Sequence, residues 1–166
     1  ILVAVSAALV YRAWTGLRGP EFSVSRPIVI VTHVTSLLVA LTIVAGILTT
    51  GAGPHAGDDG SARNGLDAGI LQHVHSWPGY ALIAATLALV IMLARAHQRR
   101  VMDFAIILLV LEIVQALIGI IQSRTGLPIL LVGSHMVIAC AIAAAMTAVV
   151  LSLRPSLDHM AHAEGK

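Results

Sequence analysis

Apolar residues fill four long runs of this chain, and the polar residues gather between them. The runs lie at Pro27–Thr50, Gly69–Arg95, Met102–Ile121 and Pro128–Leu153. Each is long enough to cross a ~30 Å hydrocarbon layer as a helix. They are too long and too uniformly apolar for barrel strands, and lipid demands that backbone groups be satisfied within the segment. The expected fold class is therefore an all-α membrane protein: a four-helix transmembrane bundle. A fifth run, Ile1–Val10 with an extension to Trp14, is too short to span and reads as the end of a truncated transmembrane helix. The expected organisation is residues 1–14 as that helix end, 15–26 as a connection, 27–153 as the four-helix unit and 154–166 as a tail.

The connections set an expected orientation. Arg12, Arg18 and Arg26 precede the first full run, Arg95, Arg99 and Arg100 separate the second from the third, and Arg154 and Lys166 follow the last. The other two connections hold only Arg63 and Arg124. Basic residues favour the cytoplasmic side. This places the first connection, the 95–101 turn and the C-terminus in the cytoplasm of a multi-pass cell-membrane protein, with loops 51–68 and 123–127 outside. Loop 51–68 is rich in Gly and Asp, which predicts turns. Pro78, inside the second run, removes a backbone donor and predicts a kink just after His75. No internal repeat is visible in the residues.

Composition agrees with the pattern. Hydrophobic residues make up 58% of the chain and charged residues 11%, far from the balance a soluble domain needs to cover its surface. The basic residues are explained by topology, so nucleic acid is not an expected partner and lipid is. The single cysteine, Cys140, lies in an apolar run. That rules out an internal disulfide, zinc-finger and iron–sulfur ligation, and covalent c-type haem attachment. It reads as a small buried hydrophobe.

Few polar groups interrupt the apolar runs, and two of them match. His75 and His135 each lie roughly seven residues in from the same side of the membrane, about a third of a span. Two imidazoles at equal depth on two helices suit the two faces of one haem iron. The bland alternative is that each bonds a neighbouring carbonyl or hydroxyl. His73, two residues before His75, points to a nearly opposite face and suits an interfacial role. His33 enters from the other side, at a different depth, with a structural or proton-handling role. His55, His97, His159 and His162 read as solvated.

Glu112 lies near the centre of its run, where a carboxylate must face the bundle and be protonated or paired. Gln115 shares its face, and Gly119 follows at helical spacing, permitting close approach of a neighbour or a flat ring. This face fits contact with a cofactor or a proton route; it fits equally an interhelical hydrogen bond. Arg63 and Arg124 are the basic residues on the outer side and suit the propionates of a haem by their forked geometry; singly, each reads first as a solvated loop charge.

Several blocks carry a resemblance. Thr50–Asp58 (TGAGPHAGD), then Gln72-His73-Val74-His75, then Val114-Gln115-Ala116-Leu117-Ile118-Gly119, Gly126-Leu127-Pro128 and Ser134-His135-Met136 resemble the second half of haem A synthase, with a loop of actinobacterial flavour. The resemblance covers almost the whole chain. It implies one half of an eight-helix, pseudo-symmetric membrane enzyme that oxidises the C8 methyl of haem O to the formyl of haem A for cytochrome oxidase. It implies haem b as an electron-relaying cofactor, with His75 and His135 as its iron ligands. It implies haem O as substrate, and haem O synthase and cytochrome oxidase assembly factors as partners. The family's catalytic glutamate and other histidine pair belong to the first half and map onto no residue here, so the chain by itself is expected to be incomplete for the reaction. The cysteine pair that many members carry in an external loop has no counterpart in the second-half loop here. Two rival readings remain at this point: a four-helix b-type cytochrome that carries electrons, and a membrane assembly or transport subunit whose histidines only pack.

Overall fold

Backbone groups that cannot reach water must pair along their own segment, and the apolar runs among the described residues are helices. The structure, a computed structural model, describes residues 1–15, 24–54 and 64–153, with the side chains of residues 14 and 15 set aside. These residues form five helices: α1 (Leu2–Thr15), α2 (Arg26–Ala52), α3 (Ala68–Arg95), α4 (Arg99–Arg124) and α5 (Ile129–Ser152). Four of them, α2 to α5, are long and apolar enough to cross a membrane. Their outer surfaces stay apolar, as exposed Ile30, Leu37, Ile91, Val110, Leu117 and Val137 show. Hydroxyls within the helices return to the carbonyl one turn back. Thr32 donates to Ile28, Thr42 to Leu38, Ser134 to Leu130 and Thr147 to Ala143, the pattern by which such side chains avoid an unsatisfied group in an apolar surround.

The helix ends follow local chemistry. Pro at the first turn opens α2, where a missing N–H costs nothing. Asp67 caps α3 by accepting from the Ile70 N–H at 2.9 Å. Asn64 folds back on α2, its side chain donating to the Leu48 carbonyl at 2.8 Å and its backbone N–H to Gly51 at 3.1 Å. The helices α4 and α5 are joined across Gly126 and Leu127, both at positive φ; Gly adopts that conformation without penalty and Leu does not. The helix α4 runs three residues further at each end than its apolar run, because Arg99, Arg100 and Arg124 can extend the helix while keeping their charges at its ends. Pro78 does not interrupt α3.

From α2 to α5, consecutive helices pack against each other, and contacts between α5 and α2 close the ring. The helix α1 lies outside it, against α5. Tyr11 and Ser152 hydroxyls meet at 3.0 Å, and the Tyr11 ring meets Phe104 edge-on at 5.8 Å. This sets the end of α1 beside the end of α5 and the start of α4, so Arg12, Arg26, Arg95, Arg99 and Arg100 share one end of the bundle, here called the arginine end. Arg124 and the starts of α3 and α5 mark the opposite, histidine end. Arg18, Arg63, His55, Arg154, His159, His162 and Lys166 lie outside the described residues.

The core is uneven. Every large side chain that is fully buried (Leu89, Leu93, Leu108, Val149, Thr32, Thr35 and Thr86) lies in the arginine half. Beyond the helix midpoints, near Val39, Leu82, Glu112 and Cys140, only Ala45 and Leu71 are buried among the described residues. His75 and His135 sit in this thinly packed half.

Candidate cofactor site

His75 lies in the second turn of α3 and His135 in the second turn of α5, and both helices start at the histidine end. Equal helical rise therefore carries both side chains to one level. Their rings meet in a T-shaped, edge-on arrangement with centroids 6.1 Å apart and planes at 71°. Both residues are half-buried.

Each imidazole rests on a glycine of the preceding helix. A Cβ at Gly46 would stand 3.0 Å from His75 Cε1, and one at Gly119 would stand 3.2 Å from His135 Cε1. Both distances are shorter than ordinary side-chain contact, so only glycine lets the rings lie this close to α2 and α4. In each pair the residue one turn before the glycine also engages the histidine. The His75 Nδ1–H donates to the Thr42 carbonyl at 3.0 Å. A carbonyl can only accept, so this bond puts the ring proton on Nδ1 and leaves the Nε2 lone pair free. Gln115 Nε2 donates to the His135 backbone carbonyl at 3.0 Å, and His135 Nδ1 is buried without a hydrogen-bond partner. The two hairpins, α2–α3 and α4–α5, thus repeat one device: a polar residue, a glycine one turn later, and a histidine on the returning helix. The residues show no repeat because the shared positions are too few and unequally spaced.

Two histidines are a small donor set. Among the described residues no group of three or more His, Cys, Asp or Glu side chains converges. A bare zinc ion takes about four ligands, so the pair alone does not suit one. It does suit a metal that brings its own planar ligands. Two metal–imidazole bonds of ~2.0 Å, plus the distance from each nitrogen to its ring centre, span a little over 6 Å, close to the observed separation. The glycine cradles, the free lone pair on His75 and the thin packing around the rings all fit a flat macrocycle held by His75 and His135.

Of the remaining expected site residues that are described, only Gln115 is brought to this pair. Glu112 is buried about two turns deeper on α4, where Thr86 Oγ1 donates to its Oε1 at 2.9 Å. Gln115 lies between, in contact with His135. Arg124 is exposed at the histidine end, His33 and His73 are exposed on the outside of the bundle, and Arg63 lies outside the described residues. Cys140, expected to be buried, is exposed on the bundle surface, since its position on α5 faces away from α2 and α4. Thr42, Thr86, Gly46 and Gln122 went unread in the sequence. Gly46 could have been noticed as a glycine inside an apolar helix, and Gln122 as the next polar position after Gln115 and Gly119 on the same face of α4.

No protein-family model, curated protein or solved structure matches this chain.

Proposed function

We propose that this chain is the cofactor-holding half of a haem A synthase, carrying haem b between His75 and His135. The observation that carries the reading is the ring pair at 6.1 Å, each imidazole seated on its own glycine. The block-by-block resemblance supplies the enzyme class. Bound there, haem b would supply reversible one-electron chemistry. The protein's part is to orient both imidazoles: Thr42 fixes the tautomer of His75, Gly46 and Gly119 set ring depth, and Gln115 ties α4 to the backbone of His135. Held by both imidazoles, such a haem would relay electrons and leave oxidation of the haem O methyl to the other half implied by the resemblance. In this reading the arginine end, the first connection and the C-terminus are cytoplasmic, loops 51–68 and 123–127 are external, and Arg124 with Arg63 serves the propionates. Haem O synthase and cytochrome oxidase assembly factors are the partners it implies.

A second reading is a self-contained b-type cytochrome. It is favoured by one observation: the α2–α5 ring closes, and α1 packs outside it on α5. Reduced-minus-oxidised spectra of the purified protein, with His75→Ala and His135→Ala alongside, test what both readings share. A b-type spectrum lost in each variant is expected, and no haem signal in the unmutated protein would sink both. Pigment extraction from cells making the chain joined to the other half that the resemblance implies separates them, since only the synthase reading predicts haem A formation.

A further inference from the structure

One face of α4 carries Glu112, Gln115, Gly119 and Gln122, a spacing that keeps all four on one side of the helix. Polar atoms on this face lack partners. Glu112 is 3% exposed; Oε1 accepts from Thr86, and Oε2 is buried with no partner. Gln115 Oε1 and Gln122 Oε1 are buried and unpartnered too, and His135 Nδ1 is the remaining such atom among the described side chains. Interiors rarely leave such atoms alone, and a bilayer makes them costlier. Three of the four lie on this single face and the fourth beside it, so they form a track from mid-bundle to the histidine end, where Ser123 and Arg124 are exposed.

Among the described residues Glu112 has no counter-charge. Facing it from α3 is Thr86, and the other buried polar residues of the packed half are Thr32 and Thr35 on α2. The helix α5 contributes only apolar buried residues, Ile142, Met146 and Val149. On α4 itself Arg99, Arg100 and Asp103 are exposed near the arginine end. The titratable groups on the interior side are His75 and His135, about 10 Å along the bundle by helical rise from Glu112 to Gly119.

We propose that Glu112 is a redox-linked proton site. When a one-electron donor reduces the cofactor held by His75 and His135, Glu112 binds a proton from the aqueous phase at the histidine end more tightly, and a larger share of it becomes the neutral acid. On reoxidation it returns that proton. The proton travels along the α4 face past Gln122 and Gln115. The electron and the proton then partly offset each other's charge in the low-dielectric interior. At ~10 Å, in a medium of effective dielectric ~20, each favours the other's binding by roughly tenfold. This inference rests on the bis-histidine cofactor reading.

Spectroelectrochemical titration of the purified protein across pH tests it. Reduction takes up a proton, so the midpoint potential should fall as pH rises through a window, by about 59 mV in total for a tenfold change. Glu112→Gln should abolish that fall. Gln115→Leu with Gln122→Leu should keep it but slow proton uptake after rapid photoreduction. Since a Glu112→Gln protein that failed to fold would leave the titration silent, infrared difference spectra of the unmutated protein provide a second measurement: a carboxylic-acid carbonyl band should appear on reduction and shift in D2O. A pH-independent potential in haem-loaded protein, a fall retained in Glu112→Gln, or no such band would overturn the proposal while leaving the cofactor reading intact. Absence of bound haem in the unmutated protein would overturn both.

Discussion

The two halves of this bundle are built from the same four helices and the same kinds of residue, yet they are packed to different ends. In the arginine half Leu89, Leu93, Leu108 and Val149 close on one another, and even Thr32, Thr35 and Thr86 are fully buried. In the histidine half the helices keep glycine at the contact points, leave His75, His135 and Gln115 half-buried, and bury little else. A bilayer gives helices no hydrophobic reason to associate, so packing itself must hold them. The arginine half therefore serves as the clamp that sets helix positions, and the histidine half is free to be shaped around something other than protein.

That contrast can be broken at either end. The largest effect is expected at the rings: His75→Ala combined with His135→Ala should abolish haem binding, read from the absorption spectrum, while the circular-dichroism signature of the helices persists. Truncation in the clamp should do the reverse. Leu89→Ala or Leu108→Ala should cost about 2–5 kcal/mol of stability, through lost transfer energy and a cavity in a well-packed site, and the protein that remains folded should keep its spectrum. Thermal unfolding in detergent, followed by both absorption and circular dichroism, checks the two together.

The cradle glycines sharpen the comparison because two effects oppose each other there. Gly46→Ala and Gly119→Ala raise helix propensity by up to about 1 kcal/mol, yet each new Cβ would press on an imidazole at 3.0 or 3.2 Å. The expected outcome is a haem-free protein at least as stable as the unmutated one, with haem affinity reduced roughly tenfold, about 1.4 kcal/mol. Equal losses of fold and haem would show that the glycines serve packing alone. The smallest effect is expected at Gln115→Leu, which removes one hydrogen bond to the His135 carbonyl. It should cost about 0.6 kcal/mol of stability, the mean for such bonds between membrane helices. A small change in the low-temperature haem spectrum, with no loss of haem, would accompany it.

The spans were readable because lipid leaves a long apolar run one option, and α2, α3, α4 and α5 fall on the four expected runs. The equal depth of His75 and His135 was readable for a related reason: helical rise converts residue count directly into height. Their meeting was not. Matched height does not say whether two side chains point toward each other, and here that depends on Gly46 and Gly119 letting the rings lie against α2 and α4. Glu112 could be foreseen as an inward-facing carboxyl from its cost in lipid, but its partner Thr86 lies on another helix, at a register that no local pattern encodes.

The residues by themselves therefore determined the number of spans, their direction relative to one another and the level of each histidine. All of these follow from a backbone that must pair with itself inside a slab of known thickness. Only the tertiary structure decided that α5 returns to α2, that α1 lies outside the ring, and that one half closes tightly while the other stays open around two rings. Those outcomes depend on how side chains of different size meet across helices, and nearest neighbours in the bundle are not nearest neighbours in the chain.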